Sequence, residues 1–114
     1  MNHGIKTMLY PVKDAARAKG LFGKLLGIEP HVDSPYYVGF KVGEQEIGLL
    51  PNGNATGMSG PLGYFRVDDI RKTLETLVAE GAQILQPVKD VGGGALVASI
   101  KDADGNPIGL LQSA

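Results

Sequence analysis

Hydrophobic residues recur at helical spacing in two stretches of the chain. Behind Asp14 the apolar positions follow an i, i+3, i+4, i+7, i+8 pattern that ends at Gly27, a residue suited to the position after a helix. A similar pattern behind Asp69 ends at Gly81, and each Asp is placed to cap its helix. The apolar positions are Ala18, Leu21, Phe22, Leu25 and Leu26 in the first stretch and Ile70, Leu74, Leu77 and Val78 in the second. The pattern predicts two equivalent amphipathic helices.

Segments that favour extended structure flank both helices, one before and three after each. Gly43-Glu44 fits a two-residue hairpin turn. The predicted strands are Ile5–Val12, Pro30–Val32, Pro35–Val42 and Gln45–Leu50 in the first half, and Leu62–Val67, Gln83–Val88, Ala95–Ile100 and Pro107–Gln112 in the second. Each half therefore reads β-α-β-β-β. The halves are module one, about 1–52, and module two, about 62–114, with a linker at Pro51–Pro61.

Both modules close on the same four residues, Ile-Gly-Leu-Leu, at Ile47–Leu50 and Ile108–Leu111. Side chains alternate sides along a strand, so Ile47, Leu49, Ile108 and Leu110 share one side, and Gly48, Leu50, Gly109 and Leu111 share the other. We expect one set to pack under the helices and the other to line the opposite side. A sheet with a helix on one face leaves its other face bare, which predicts a concavity, shared by two modules, where a ligand binds.

Composition places this chain of 114 residues among ordinary globular proteins, with 43% hydrophobic and 20% charged residues in one expected domain. A formal net charge of −1 with scattered basic residues argues against nucleic acid as a partner. The short apolar stretches predict neither a membrane span nor a signal peptide. No cysteine is present, which excludes disulfides and thiolate metal sites. We expect a cytoplasmic protein.

Taken together, the tandem βαβββ units, the opening Val-x-Asp and a closing Asp-x-Asp-Gly-Asn-x-Ile resemble the vicinal oxygen chelate superfamily. This is the family of glyoxalase I, bleomycin-resistance proteins and extradiol dioxygenases. The most specific segment is Lys101–Gln112, and the resemblance covers nearly the whole chain. It implies an α+β fold in which two modules form a cup of mixed β-sheet, and commonly a homodimer.

Metal-dependent members of that family carry one ligand on the first strand of each module and one on the last, usually His or Gln early and Glu late. The resemblance puts these positions at Thr7, Leu62, Gly48 and Gly109. None of them offers a strong donor for a hard divalent ion. The resemblance therefore implies a protein without the usual metal and without a cofactor. A divalent ion at a displaced site that uses His3 or Glu46 stays open as the alternative.

The expected ligand contacts follow from which residues share a side with Gly48 and Gly109. They are Thr7, Leu9, Gly48, Leu50, Leu62, Tyr64, Gly109 and Leu111, with either Tyr36 or Tyr37. Tyr64 is the first candidate because its ring can stack on a flat ligand while its hydroxyl hydrogen-bonds. Its neighbours Phe65 and Val67 should pack under the helix. Glu46 shares the side of Gly48 and is the candidate acid–base residue.

Two further motifs have a structural explanation. Asp102-x-Asp104-x-Asn106 begins like a calcium loop, but its glycine stands at the fourth position instead of the sixth, so we predict a hairpin turn. The run Gly92–Gly94 has no helix after it that could hold a phosphate, and we predict a flexible loop.

Three functions remain open at this point. The first is a metal-free protein that binds a small organic molecule in an apolar cup. The alternative is a metal-dependent lyase, isomerase or dioxygenase with a displaced site, or an enzyme that uses acid–base groups such as Glu46. The third is a structural or regulatory partner with an unfilled cup. No serine, histidine and carboxylate set suggests hydrolysis.

Overall fold

The computed structural model describes residues 2–53, 58 and 60–114. These residues form β1 (Asn2–Pro11), α1 (Ala15–Leu26), β2 (Val32–Asp33), β3 (Val38–Val42), β4 (Gln45–Leu50), β5 (Leu62–Val67), α2 (Ile70–Ala79), β6 (Gln83–Asp90), β7 (Leu96–Lys101) and β8 (Pro107–Gln112). The predicted α+β class and the twofold β-α-β-β-β order are confirmed. The predicted linker lies partly outside the described residues.

Contacts along the chain divide it into two compact units. One is Thr7–Leu62, and the other combines Met1–Lys6 with Gly63–Ala114. The start of β1 therefore groups with module two.

The strands of module one follow the order β2-β3-β4-β1. β1 runs parallel to β4, with Leu9 opposite Gly48, whereas β2, β3 and β4 are antiparallel neighbours. The β3–β4 hairpin turns at Gly43, which has a φ of 59°. Glycine adopts this left-handed conformation without the steric strain that a Cβ would cause. The hairpin predicted at Gly43-Glu44 is thus confirmed.

The strands of module two follow the equivalent order β5-β8-β7-β6. β5 runs parallel to β8, with Tyr64 opposite Gly109, and β7 pairs antiparallel with both β8 and β6. The β6–β7 pair carries register shifts between Ile84 and Lys89. Each module therefore contains both parallel and antiparallel strand pairs, so its β-sheet is mixed.

Both helices begin at the predicted aspartate caps. The Asp14 carboxylate accepts a hydrogen bond from the Arg17 amide, and that of Asp69 accepts one from the Lys72 amide, each at 3.1 Å. α1 ends at Gly27 in the left-handed conformation, with φ 69°. The amide of Ile70, inside the first turn of α2, donates to the side-chain oxygen of Gln112 at 2.8 Å. The last strand therefore satisfies an amide that the first turn of α2 leaves free.

The core of module one lies between α1 and its sheet, but the predicted apolar stripe of α1 is only half right. Leu21 and Leu25 are 68% and 74% exposed. The residues that reach the core are Ala18, Phe22 and Leu26, which pack around buried Val38, Phe40 and Leu49. These helical positions follow an i, i+4, i+8 spacing, a narrower stripe than predicted because α1 meets the sheet along one line of residues.

The core of module two has the equivalent arrangement under α2. Ile70 and Leu110 are buried with Val67 and Ala98, and Phe65, Leu74 and Leu77 pack against them. Phe65 and Val67 therefore lie under the helix as predicted, whereas Val78 is 42% exposed and stands outside the core. No helix in the described part of the chain is long and apolar enough to cross a membrane.

Candidate functional site

Each module has a sheet face that points away from its helix, and we call it the glycine face. In module one Leu49 packs toward α1, so its neighbours Gly48 and Leu50 point the other way. In module two Leu110 packs toward α2, which puts Gly109 on the other side. Gly48 and Gly109 therefore lie on the side away from the helices, the side on which ligand contacts are predicted.

The ring of Tyr37 covers Gly48 on the glycine face of module one. A Cβ added at Gly48 would lie 2.6 Å from the Tyr37 hydroxyl oxygen, 2.6 Å from Tyr37 Cε1 and 2.6 Å from Leu9 Cδ2. No side chain fits at such distances unless the ring or the leucine moves. Glycine at this position makes room for the tyrosine.

A tight turn selects Tyr37 rather than Tyr36 for this role. The Ser34 amide and hydroxyl both donate to the Tyr37 carbonyl, and the Ser34 hydroxyl oxygen accepts from the amides of Tyr36 and Tyr37. Tyr36 stands on the outside of this turn with 75% of its surface exposed. Tyr37 at the end of the turn is folded inward. Strand alternation alone does not distinguish the two tyrosines, because the turn at Ser34 decides which of them points inward.

Three polar side chains converge on the same face. The Tyr37 hydroxyl donates to Glu46 Oε2 at 2.5 Å, and His31 Nε2 lies 2.7 Å from Glu46 Oε1. Their side chains differ in exposure, with His31 at 44% and Glu46 at 23%. A carboxylate only accepts hydrogen bonds when ionised, so His31 Nε2 carries the proton in this contact. Each oxygen of Glu46 thus has its own donor.

Gly39 makes the space that this cluster occupies. It lies directly opposite Gly48 in the β3–β4 pair. A Cβ at Gly39 would lie 2.5 Å from Glu46 Oε2 and 3.2 Å from His31 Nε2. The Gly39 carbonyl also accepts from the His31 amide at 2.8 Å, which fixes the start of the loop that carries the imidazole. The local sequence pattern does not predict this convergence, since it depends on the β2–β3 pairing that brings residue 31 beside residue 39.

The surroundings of Tyr37 make its hydroxyl hard to ionise. Burial raises its pKa above the ordinary value, and the hydrogen bond to Glu46 and the negative charge of that carboxylate raise it further. Tyr37 therefore keeps its proton under ordinary conditions and acts as the donor to Glu46.

The glycine face of module two repeats the tyrosine-over-glycine contact. Tyr64 is paired in register with Gly109, and a Cβ at Gly109 would lie 2.5 Å from Tyr64 Cδ1 and 2.7 Å from Cγ. Burial raises the pKa of Tyr64. Ser99, which faces Gly109 across the β7–β8 pair, is a buried polar residue of the same face that sequence analysis did not single out.

The other predicted contact residues lie on or beside these faces. Thr7 is opposite Glu46 and Leu9 is opposite Gly48 in the β1–β4 pair. Leu50, Leu62 and Leu111 are half-buried. The structure thus brings Thr7, Leu9 and Glu46 together with Tyr37 in module one.

The remaining candidates lie elsewhere. His3 forms a contact of 2.8 Å with Asp68, and this contact holds the pKa of the Asp68 carboxyl below its usual range. Asp102 accepts from the backbone amides of Asp104 and Asn106 and from the Asn106 side chain, so the segment is the predicted hairpin turn. The glycines of the Gly92–Gly94 run all have positive φ in the connection between β6 and β7.

At Gly48 and Gly109, where the resemblance implies the late metal ligands, there is no side chain, and a tyrosine ring covers each glycine. A glutamate at Gly48 or Gly109 would collide with Tyr37 or Tyr64 from its Cβ outward. Within the described residues no three side chains of His, Cys, Asp or Glu are grouped as metal ligands would be. His31 and Glu46 supply one donor type each, and both carboxylate oxygens are already engaged. Gly48 and Gly109 themselves supply no side-chain donor for a metal ion.

Comparisons with known proteins agree with this architecture. The model of the Glyoxalase/Bleomycin resistance protein/Dioxygenase superfamily matches residues 4–110. No curated protein matches the sequence.

Solved structures give the same picture of the fold. A member of that superfamily from Vibrio splendidus 12B01 is 15% identical, with a TM-score of 0.72 over 99% of this chain and 100% of that one. Methylmalonyl-CoA epimerase from Mycobacterium tuberculosis is 17% identical, with a TM-score of 0.73 over 99% and 89%. The Mn(II)-bound glyoxalase from Novosphingobium aromaticivorans is 16% identical, with a TM-score of 0.73 over 98% of this chain and 40% of that one. At such identities the likeness is one of fold.

Proposed function

Because the chain belongs to the glyoxalase/bleomycin resistance protein/dioxygenase superfamily, we propose that it binds a small organic molecule on its glycine faces without the superfamily's usual metal. The observation that carries this proposal is the tyrosine ring over glycine in both modules, at Gly48 and at Gly109. Aromatic rings offer a flat apolar surface and a polar edge, which suits a ligand that combines a ring with a polar group.

A thermal-shift screen with aromatic metabolites and drugs tests ligand binding. A compound that binds only the folded state at one hundred times its Kd adds about 2.7 kcal/mol to the free energy of unfolding. For a domain of this size that is on the order of 10 °C in Tm. We expect Tyr37→Ala and Tyr64→Ala to reduce the shift and the matched control Tyr36→Ala to retain it, because the Tyr36 ring is exposed. A ligand shift equal in all three variants would contradict binding at these faces.

Metal analysis tests the second half of the proposal. The protein is purified without chelator, and its content of Ni, Zn, Mn and Fe is measured by mass spectrometry. We expect no metal at stoichiometric amounts. A stoichiometric ion that is lost in Glu46→Gln would overturn the metal-free proposal and establish a displaced site.

A second candidate is an enzyme of the same superfamily, a lyase, isomerase or dioxygenase, with Glu46 as its acid–base group. The observation in its favour is the convergence of His31 and Tyr37 on Glu46, since catalytic carboxylates are commonly positioned by such hydrogen bonds. Turnover that is abolished in Glu46→Gln while ligand binding persists would support this candidate over simple binding.

We also propose that the protein is cytoplasmic and that it forms a homodimer. Members of this fold commonly complete their ligand sites by dimerisation. Light scattering at micromolar concentration tests the dimer. A mass that corresponds to 12.0 kDa would be that of a monomer and would contradict it.

A further inference from the structure

The Tyr37 hydroxyl donates its one proton in a hydrogen bond to Glu46. The two oxygens are 2.5 Å apart, and an ionised carboxylate has no proton to offer in return. The O–H bond of Tyr37 therefore points at Glu46 Oε2. What remains on the phenol oxygen is its capacity to accept.

A second hydrogen bond and the backbone beside it hold the Glu46 carboxylate in the position where it accepts from Tyr37. His31 Nε2 occupies Oε1 at 2.7 Å, and the carboxylate lies against the backbone at Gly39, where a Cβ would be 2.5 Å from Oε2. A hydrogen-bonded chain in partly buried surroundings is stiffer than its separate bonds, because each bond polarises the next. The orientation of the Tyr37 hydroxyl is thus set before any ligand arrives.

We propose that the hydrogen bonds from His31 and Tyr37 to Glu46 fix the Tyr37 hydroxyl oxygen as a hydrogen-bond acceptor toward the ligand. The protein then selects ring-containing molecules that carry a hydroxyl or N–H donor. The inference rests on the proposed function and narrows its ligand class. A ligand with an ether or carbonyl oxygen at the same place would set two acceptors against each other, and a site built for one partner discriminates strongly against a ligand that cannot pair with it.

Three uncharged probes with one ring system test the selection: naphthalene, 2-methoxynaphthalene and 2-naphthol. Uncharged probes are needed because exposed Lys41 lies opposite Glu46 in the β3–β4 pair and would attract anions on its own account. By isothermal titration we expect 2-naphthol to bind roughly threefold to tenfold more tightly than 2-methoxynaphthalene, the gain of one neutral hydrogen bond.

Two variants locate the cause. Tyr37→Phe keeps the ring over Gly48 and removes the oxygen, so the ratio of the two affinities should fall to about one while naphthalene binding is retained. Glu46→Gln offers Tyr37 an amide donor as well as an acceptor, which frees the phenol proton. We expect this variant to bind 2-methoxynaphthalene more tightly than the wild type does. Tyr36→Phe is the matched control and should keep the wild-type ratio.

The outcomes separate the two proposals. Binding of naphthalene and both derivatives with equal affinity overturns the inference and leaves the proposed function standing. A preference for 2-naphthol that survives in both Tyr37→Phe and Glu46→Gln also overturns the inference. Failure of all three probes to bind the folded wild type overturns the proposed function for aromatic ligands, and the inference with it.

Discussion

A tyrosine ring covers a glycine in both modules, but the chemical surroundings of the two rings differ. In module one Tyr37 reaches Gly48 from a turn and brings a hydrogen bond to Glu46, with His31 behind it. In module two Tyr64 reaches Gly109 from the adjacent strand, and burial is what raises its pKa. The same Ile-Gly-Leu-Leu therefore supports a polar site in one half and an aromatic, largely apolar one in the other. Gly109 is covered by the ring on the adjacent strand, whereas at Gly48 the corresponding strand position holds Leu9 and the ring comes from a turn.

Alanine at the covered glycines should show how rigidly each tyrosine is held, and this is the largest effect we expect. At Gly109 the new Cβ would meet Tyr64 Cγ, which cannot swing away without a change of rotamer, so we expect a loss of about 2–3 kcal/mol in the free energy of unfolding. At Gly48 it would meet the outer atoms of Tyr37 and Leu9, and we expect a loss of about 1–2 kcal/mol. Urea denaturation measures both.

Gly20 supplies the control for these substitutions. It lies inside α1, and a Cβ there meets nothing within 4 Å. Gly20→Ala should therefore stabilise the protein by about 1 kcal/mol, the difference in helix propensity. Equal effects at Gly48 and Gly109 would remove the distinction between the two tyrosines.

Removal of the two hydroxyl groups should separate the polar module from the apolar one. Tyr37→Phe leaves Glu46 without one of its donors, and we expect a loss of about 1–2 kcal/mol because the bond involves a partly buried carboxylate. Tyr64→Phe should cost no more than about 0.5 kcal/mol. The free energies of unfolding of the two variants, measured under the same conditions, give the comparison, and a larger loss in Tyr64→Phe would reverse our assignment.

Alkaline pH should weaken the fold through Tyr37. Its pKa in the folded protein lies above the ordinary value of 10.0, so the unfolded chain gives up this proton first. The stability that Tyr37 contributes is complete below about pH 10 and is lost as the pH rises from there toward the folded-state pKa. We expect the free energy of unfolding to fall less steeply above about pH 10 in Tyr37→Phe than in the wild type.

Glu46→Gln refines this test. It removes the carboxylate that contributes to the raised pKa of Tyr37 and leaves the burial of the ring, so the loss of stability should be complete at a lower pH than in the wild type. Loss of stability over the same pH range as in the wild type would mean that burial alone accounts for the raised pKa.

The smallest effect is expected on the outer side of α1. Leu25→Gln should change the free energy of unfolding by no more than about 0.5 kcal/mol, because 74% of Leu25 is exposed. Sedimentation or light scattering on the same variant adds a second readout. A substantial loss of stability that grows with dilution would show that another copy of the chain covers this helix.

Features that a local rule decides are predictable from the sequence. Asp14 and Asp69 are caps because a carboxylate suits free amides, and Gly27 ends α1 because it adopts a left-handed conformation readily. Alternation along a strand places Gly48 and Gly109 on the side opposite Leu49 and Leu110. Such features depend on neighbours in sequence.

Features that depend on residues far away in the sequence are not predictable from local patterns. Periodicity predicts an apolar stripe on α1 but not which edge of the stripe meets the sheet, and the prediction that Leu21 and Leu25 belong to the packed stripe is wrong. The cluster of His31, Tyr37 and Glu46 requires the turn at Ser34 and the pairing of β2 with β3. The roles assigned to the ligand-binding residues stay predictions.

The contact of tyrosine with glycine also constrains how such a protein can change over generations. A carboxylate at position 48 or 109 and a tyrosine ring over that position claim the same space. A single substitution to glutamate would meet the ring before it could gain any new chemistry, and loss of the ring alone would leave a hollow. A carboxylate at either position is therefore favoured only together with a smaller residue in place of the ring that covers it, and each glycine has its own tyrosine.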